Sequence, residues 1–303
     1  MQRLRGINQY GVWKFVTPWM TTTRFEHCVG VYLLLKRLGA DREEMVAGLL
    51  HDIGHAAFSH VYDYVVGRSE QQDSDGRMHS RMIENPGLKS IFKKNGIDIG
   101  RLIDMMNFPL LEKDLPDLCA DRIDYVLRDS FMYGMTQKEE IPSLLSSIES
   151  QDNLVFFSDR SNARIMTMRF MQMDNEYWRS AFQNAIYALA GQAMRIALEK
   201  NAITNDDFFT TDNMLLKKLM DSGLPEVVHR LNMISPELRV EDNPDDYDFF
   251  VKGKCRFIDP LVSHNGGMKR LSEIDEGIRK SIEEFKRAHS RGAYIKILGG
   301  KNG

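Results

Sequence analysis

Cysteine is scarce. Cys28, Cys119 and Cys255 make up the whole complement of the 303-residue chain, and they form no C-x-x-C pair. That argues against a thiolate zinc site and suits a reducing compartment. Long apolar runs are also missing: none reaches membrane-spanning length, and the N-terminus has no signal-peptide pattern, so a cytoplasmic, membrane-free protein is expected. A large excess of charge of one sign is absent too, with 40 Lys and Arg against 43 Asp and Glu. A net charge of -3 and a pI near 6.3 argue against nucleic acid as the main partner, but leave room for a local basic pocket. No period of 20 to 50 residues repeats, which argues against a solenoid. Patterning starts at Gln2, so no regulatory N-terminal module is expected.

What is present is an ordinary globular composition, 43% hydrophobic and 27% charged. Apolar residues recur at three- and four-residue steps over 25–38, predicting a helix stopped by Gly39. Asp41 and Glu44 suggest a capping-box relative that opens a second helix, running into His51-Asp52 and ending near Gly54. Residues 67–77 read as a polar loop, with His79 opening the helix after it. Residues 114–133 read as a helix carrying Asp121, Tyr125 and Arg128 on one face. Asn153–Ser158 is strand-like, and a Met-rich helical stretch covers 163–200, its methionines assigned to core packing. Lys254–Pro260 and Ala293–Leu298 look like strands, and 275–291 like a helix with a solvated charged face. The fold class is mainly α with a small C-terminal α+β element, divided as 1–200 and 201–303.

Only eight histidines occur, yet His51, His55 and His60 fall within ten residues, alongside Asp52. Imidazole and carboxylate suit divalent transition metals, which do hydrolytic chemistry by activating water. His27 lies upstream and Asp121 downstream. Any one of these residues alone is more often a cap or a satisfied core side chain. Together on helices they point to a metal centre. The run His51 to His55 also mimics H-E-x-x-H, but Gly54 interrupts the spacing and Asp52 holds the position of the required Glu.

The order Arg24-Phe25-Glu26-His27, His51-Asp52-Ile53-Gly54-His55 with Phe58-Ser59-His60, then Asp121-Arg122-Ile123-Asp124-Tyr125, resembles the His-Asp (HD) domain phosphohydrolase superfamily. Within it the chain looks most like deoxynucleoside triphosphate triphosphohydrolases. Gln2–Gln9 resembles their Q-R-L-R-x-I-x-Q segment, and the likeness thins beyond residue 180. Lys254–Pro260 is similar to a C-terminal segment of relatives.

The resemblance implies that His27, His51, Asp52 and Asp121 hold one divalent ion (Mn, Mg, Fe, Zn, Ni or Co), with a second metal left open. It implies that His55, His60 and His79 line the reacting phosphate as proton carriers or orienting groups. Arg24, Arg122 and Arg169 would contact a polyphosphate chain. Gln9, Tyr125, Asp129 and Tyr177 would contact sugar or base. Tyr10 departs from the smaller aliphatic side chain of deoxynucleotide-specific members, and Cys119 stands where an acidic residue is usual.

The expected activity is metal-dependent hydrolysis of a (deoxy)nucleoside triphosphate by a homo-oligomer. The rivals are a nucleotide phosphomonoesterase, a di-iron oxygenase using His55 and His79, and a non-catalytic nucleotide sensor.

Overall fold

Helix α1 (Arg24–Arg37) starts at a reciprocal cap. The Thr23 hydroxyl accepts from the Glu26 amide, and the Glu26 carboxylate accepts from the Thr23 amide, satisfying two donors that a helix start leaves open. The computed structural model describes residues 1–69, 75–252, 255–289 and 292–299. Asp41 caps α2 (Arg42–Leu50) through the Glu44 amide. Glu44 does not reach back as a capping box would. Its buried carboxylate accepts from the Leu110 and Leu111 amides at 2.7 and 3.1 Å, which ties a distant loop to α2.

Short helices α3 (Val61–Val65), α4 (Asp75–Ile83), α5 (Pro86–Lys94) and α6 (Ile99–Leu102) follow. Of the expected loop at 67–77, residues 70–74 lie outside the described residues. Helix α4 begins at Asp75, so His79 sits inside it and does not open it. Helix α7 (Ala120–Met132) is shorter than the predicted 114–133. Pro116 restricts the residue before it and Cys119 is extended, so the helix starts only at Ala120.

After α8 (Ile141–Ser146), strands β1 (Ile148–Gln151) and β2 (Leu154–Phe157) pair antiparallel. The predicted stretch 163–200 is two helices, α9 (Arg160–Met173) and α10 (Ala181–Glu199). A π-turn at Asp174–Trp178 breaks them. Met166, Met171, Met173 and Met194 are buried, as core methionines should be, whereas Met168 is exposed and does not pack in the core.

Helices α11 (Asp212–Met220) and α12 (Pro225–Met233) precede β3 (Arg239–Asp242) and β4 (Phe249–Val251). Residues 253–254 lie outside the described residues, and 255–260 join no ladder, contrary to the predicted strand. The strand there is β5 (Leu261–His264), followed by β6 (Gly267–Arg270) and helices α13 (Leu271–Ile274) and α14 (Glu276–Ala288). The chain then forms β7 (Ala293–Gly299), where a strand was expected. One sheet runs β1-β2-β5-β6 with β2 and β5 parallel; the other runs β3-β7-β4.

Among the described residues, the two larger of three hydrophobic clusters each draw on residues from both sides of position 200. One joins Val31, Leu35 and Phe170 with Ile258, Val262 and Ile278. The other joins Val12, Phe58 and Ala190 with Phe208, Leu231 and Ile295. No helix among the described residues is long and apolar enough to cross a membrane.

Candidate metal centre and substrate cleft

Three helix ends bring the predicted ligands together. His27 comes from the first turn of α1, His51 and Asp52 from the turn after α2, and Asp121 from the first turn of α7. Ligand atoms of His27, His51 and Asp52 all lie within 4.8 Å of one another. Nε2 of His27 is 3.2 Å from Nε2 of His51, and Oδ1 of Asp121 is 2.9 and 3.5 Å from those two nitrogens.

The groups behind these side chains suit an arrangement that could hold a metal ion. Asp124 Oδ2 lies 2.7 Å from Nδ1 of His27, and the Gly48 carbonyl lies 2.7 Å from Nδ1 of His51. Each places the ring proton on Nδ1 and turns the Nε2 lone pair inward, as ligating histidines require. Charge tells the same story. Burial lowers the His27 pKa, but its bonds to Asp121 and Asp124 override this and push it up to about 10. Burial likewise opposes ionisation of Asp52, yet Arg24, His51 and His55 hold its carboxyl well below the usual range. Surplus carboxylate charge facing two imidazoles is what a divalent cation would neutralise.

The approach of α1 to α7 depends on Gly30. A Cβ there would fall 1.9 Å from Asp124 Oδ1 and 2.5 Å from an Arg128 nitrogen. The turn after the His-Asp pair is also unusual. Phe58 and Ser59 both have positive φ, 61° and 54°, a conformation that costs non-glycine residues on the order of 1–3 kcal/mol. It is held from afar. Asp212 accepts from the Phe58 amide at 2.7 Å and the Asn8 amide at 2.9 Å, and Ser59 donates to the Asn8 carbonyl.

The centre opens into a cleft of about 480 Å³. Gln9, Tyr10, Arg24, His55, His60, Arg122, Tyr125, Asp129 and Tyr177 line it alongside the four predicted ligands. Two predicted residues do not. His79 is buried, with its ring nitrogens 3.1 and 2.9 Å from the carbonyls of His51 and Leu102. Arg169 is outside the lining, and its Nε is buried without a hydrogen-bond partner.

Inside the cleft, Arg24 donates to Asp52 Oδ2 at 2.8 Å and to Ser59, so it orients a ligand carboxylate. His55 Nε2 is 3.0 Å from Asp52 Oδ1, and His60 stands edge-on to His55 with its Nδ1 on Asp63. Arg122 donates to Glu112 at 3.0 Å. Cys119, whose thiol burial keeps neutral, lies beside this pair, so Glu112 supplies the carboxylate there. Gln9 Oε1 and Asp129 Oδ1 are buried acceptors without partners. Burial pushes the Asp129 carboxyl up to about 7, against the Trp178 indole that donates to it at 2.8 Å.

Sequence reasoning missed Trp13, Glu112, Asp114, Trp178, Gln183 and Arg256 in the lining. Arg256 alone had a signal, in the Lys254–Pro260 likeness. The Tyr177 wall was found without its support: Tyr177 stacks on Tyr133, ring centres 3.5 Å apart.

A model of the HD domain family matches residues 24–129. An uncharacterized Bacillus subtilis protein, YdhJ, is 33% identical over 299 residues, covering 98% of this chain and 92% of its own. The metal-dependent phosphohydrolase cns2 of Cordyceps militaris is 29% identical over 273 residues, covering 88% of this chain and 78% of its own. A Dictyostelium discoideum homolog of the deoxynucleoside triphosphate triphosphohydrolase SAMHD1 is 28% identical over 52% of this chain, but only 36% of its own. Among solved structures, a hypothetical protein from Aquifex aeolicus shares the fold with TM-score 0.67 at 20% identity, over 95% of this chain and 92% of its own.

Proposed function

The chain belongs to the HD domain family and is a metal-dependent phosphohydrolase, and from that premise we propose that it hydrolyses a nucleotide. The first reading is a (deoxy)nucleoside triphosphate cleaved to nucleoside and tripolyphosphate. The observation that carries a nucleoside substrate is the pair of orphan acceptors, Gln9 Oε1 and Asp129 Oδ1, in one cleft with the ligand set. Buried acceptors without donors are costly, and sugar hydroxyls would satisfy both. Tyr125 and Tyr177 supply flat apolar walls for sugar and base.

His27, His51, Asp52 and Asp121 would hold a divalent ion, which when bound supplies Lewis acidity at a phosphoryl oxygen and eases deprotonation of water. Water attacks the α-phosphorus, the bond to the 5′-oxygen breaks, and His55 delivers a proton to that oxygen. His60 supports the His55 ring, and Arg122 offsets charge on the phosphate chain. The homo-oligomer and cytoplasmic readings remain part of this proposal.

A phosphomonoester is the second reading. It is favoured by the commitment of Arg24 to Asp52 and Arg122 to Glu112, and by the placement of Arg169 outside the cleft. The oxygenase reading loses His79, whose ring faces two carbonyls. Phosphorus NMR of the protein with Mn and a panel of mono- and triphosphates tests the choice. Tripolyphosphate with free nucleoside supports the first reading, and inorganic phosphate from monophosphates the second. Turnover of neither, in any metal, overturns both.

A further inference from the structure

We propose that Gln183, locked by the Trp13 indole, reads the edge of the nucleotide base, selecting a base with a carbonyl there over one with an amine. The inference deepens the nucleotide reading and rests on it in either of its two forms. The cleft carries its chemistry in order along α7. Asp121, Tyr125, Asp129 and the helix C-cap Tyr133 recur at four-residue steps, and all four line it. Each step advances roughly 6 Å along the axis, so Tyr133 marks the end remote from the candidate metal ligands. Aromatic rings gather at that end. Tyr133 stacks on Tyr177, and Trp13 stands edge-on to Tyr133 with ring centres 5.9 Å apart.

A stacking wall accepts every base, so discrimination needs a polar group beside it. Among the described residues, the cleft lining holds two carboxamides, Gln9 and Gln183. Gln183 is the one at the aromatic end, where its Oε1 accepts from the Trp13 indole nitrogen. An indole N–H only donates, so the atom facing it is the amide oxygen, and the NH2 group turns away. One of that group's two hydrogens is spent on the Tyr187 hydroxyl, whose own hydrogen goes to the Tyr10 carbonyl at 3.1 Å. The other is left for a ligand. A carboxamide whose oxygen is taken presents donors only. It pairs with the carbonyl of guanine, hypoxanthine, thymine or uracil, whereas the amine of adenine or cytosine meets it donor to donor.

The helix does not claim this side chain. Gln183 is the third residue of α10, a position from which glutamine commonly reaches back to the N-cap amide. Here the Ser180 amide donates to the Tyr177 carbonyl at 3.2 Å instead, and the Ser180 hydroxyl accepts from the Gln183 amide at 3.1 Å. Trp13 is equally fixed. It is buried on the turn Gly11–Phe15 and packs against Phe182, ring centres 5.4 Å apart. Gly11 lets that turn approach α10: its φ is 57°, and a Cβ there would fall 2.8 Å from Tyr187 Oη. Trp13 is thus the positioning residue for Gln183.

The test uses two nucleoside pairs that differ at the edge group, inosine against adenosine and uridine against cytidine, in ribo and deoxy forms. Their nucleotides are compared by kcat/KM on the full chain with Mn, and the free nucleosides by calorimetry in EDTA. Wild-type protein should favour the carbonyl member of each pair roughly 10- to 100-fold, the cost of facing a buried donor with no acceptor. Gln183→Leu should bring the ratio near one. Gln183→Glu, which presents an acceptor, should invert it. Trp13→Phe keeps a ring but frees the amide to turn over, so the ratio should fall there too. A ratio taken within one variant does not depend on the fraction folded. A wild-type ratio near one or favouring the amine, or a carbonyl preference that survives Gln183→Leu, overturns the inference and leaves nucleotide hydrolysis standing. An intact ratio in Trp13→Phe overturns the role of Trp13. Gln183-dependent preference for inosine in binding, by a protein that hydrolyses no nucleotide, upholds the inference and overturns the hydrolysis reading. Neither binding nor turnover of any member overturns both.

Discussion

Asp124 and His27 face each other across the α1–α7 contact, with Oδ2 2.7 Å from Nδ1, while Nε2 of the same ring faces Asp121 at 2.9 Å. The imidazole is thus held from behind by one carboxylate and aimed at the centre beside another. Asp124→Ala should lower divalent-metal affinity roughly 10- to 100-fold, as loss of a supporting carboxylate does. Titration of the metal-free protein with Mn, followed by calorimetry, measures it. Gly30→Ala should weaken metal binding in the same assay, because its Cβ displaces the Asp124 carboxylate.

Two histidines that the sequence reading grouped together should now behave differently. His55 touches Asp52 and lines the cleft; His79 does neither. His55→Ala should lower kcat by about 10²–10⁴, the usual contribution of a positioned proton carrier, with metal content kept. His79→Ala should leave kcat within a few-fold and lower the melting temperature, because the His51 and Leu102 carbonyls lose its ring. Steady-state kinetics beside metal analysis separate the two.

Asp212 fastens the strained Phe58-Ser59 turn and the Asn8 segment together, and Lys14 pairs with it at 3.1 Å. Removing the carboxylate leaves buried amides without acceptors. Asp212→Ala should cost on the order of 3 kcal/mol in urea unfolding. Activity should fall too, since Ser59 accepts from Arg24, which orients Asp52.

How much of this was legible follows from range. The cap at Asp41, the periodicity of α1 and the motif-borne candidate ligands are local, and the sequence carries them; the Thr23 cap was equally local but was not read. The Asp212 clamp, the Glu44 tether and the hydrogen bond from the Asp259 amide to the Pro116 carbonyl depend on partners 66 or more positions away. No local pattern encodes those. The break between α9 and α10 has neither proline nor glycine to mark it, so the helical periodicity runs through. Arg169 was placed by the family resemblance, which does not say which face of α9 meets the cleft in this chain.

Burial pushes the carboxyls of both Asp129 and Asp174 from an ordinary 3.8 up to about 7. Each binds its proton more tightly in the folded than the unfolded state. Folding stability should therefore fall as pH rises from about 4 to about 7, with these contributions level above that window. Urea midpoints of the metal-free protein across the window measure the slope. Asp129→Asn and Asp174→Asn should each flatten it.

The central claim is that water attacks phosphorus of a nucleotide at the His27, His51, Asp52 and Asp121 centre. Phosphorus NMR of turnover in ¹⁸O-labelled water with Mn tests it most directly. The account predicts tripolyphosphate shifted upfield by incorporated ¹⁸O, an unlabelled nucleoside, and no product from His51→Ala or in EDTA. Label in the nucleoside hydroxyl, or metal-bound wild-type protein that forms no phosphorus product from any nucleotide, would contradict it.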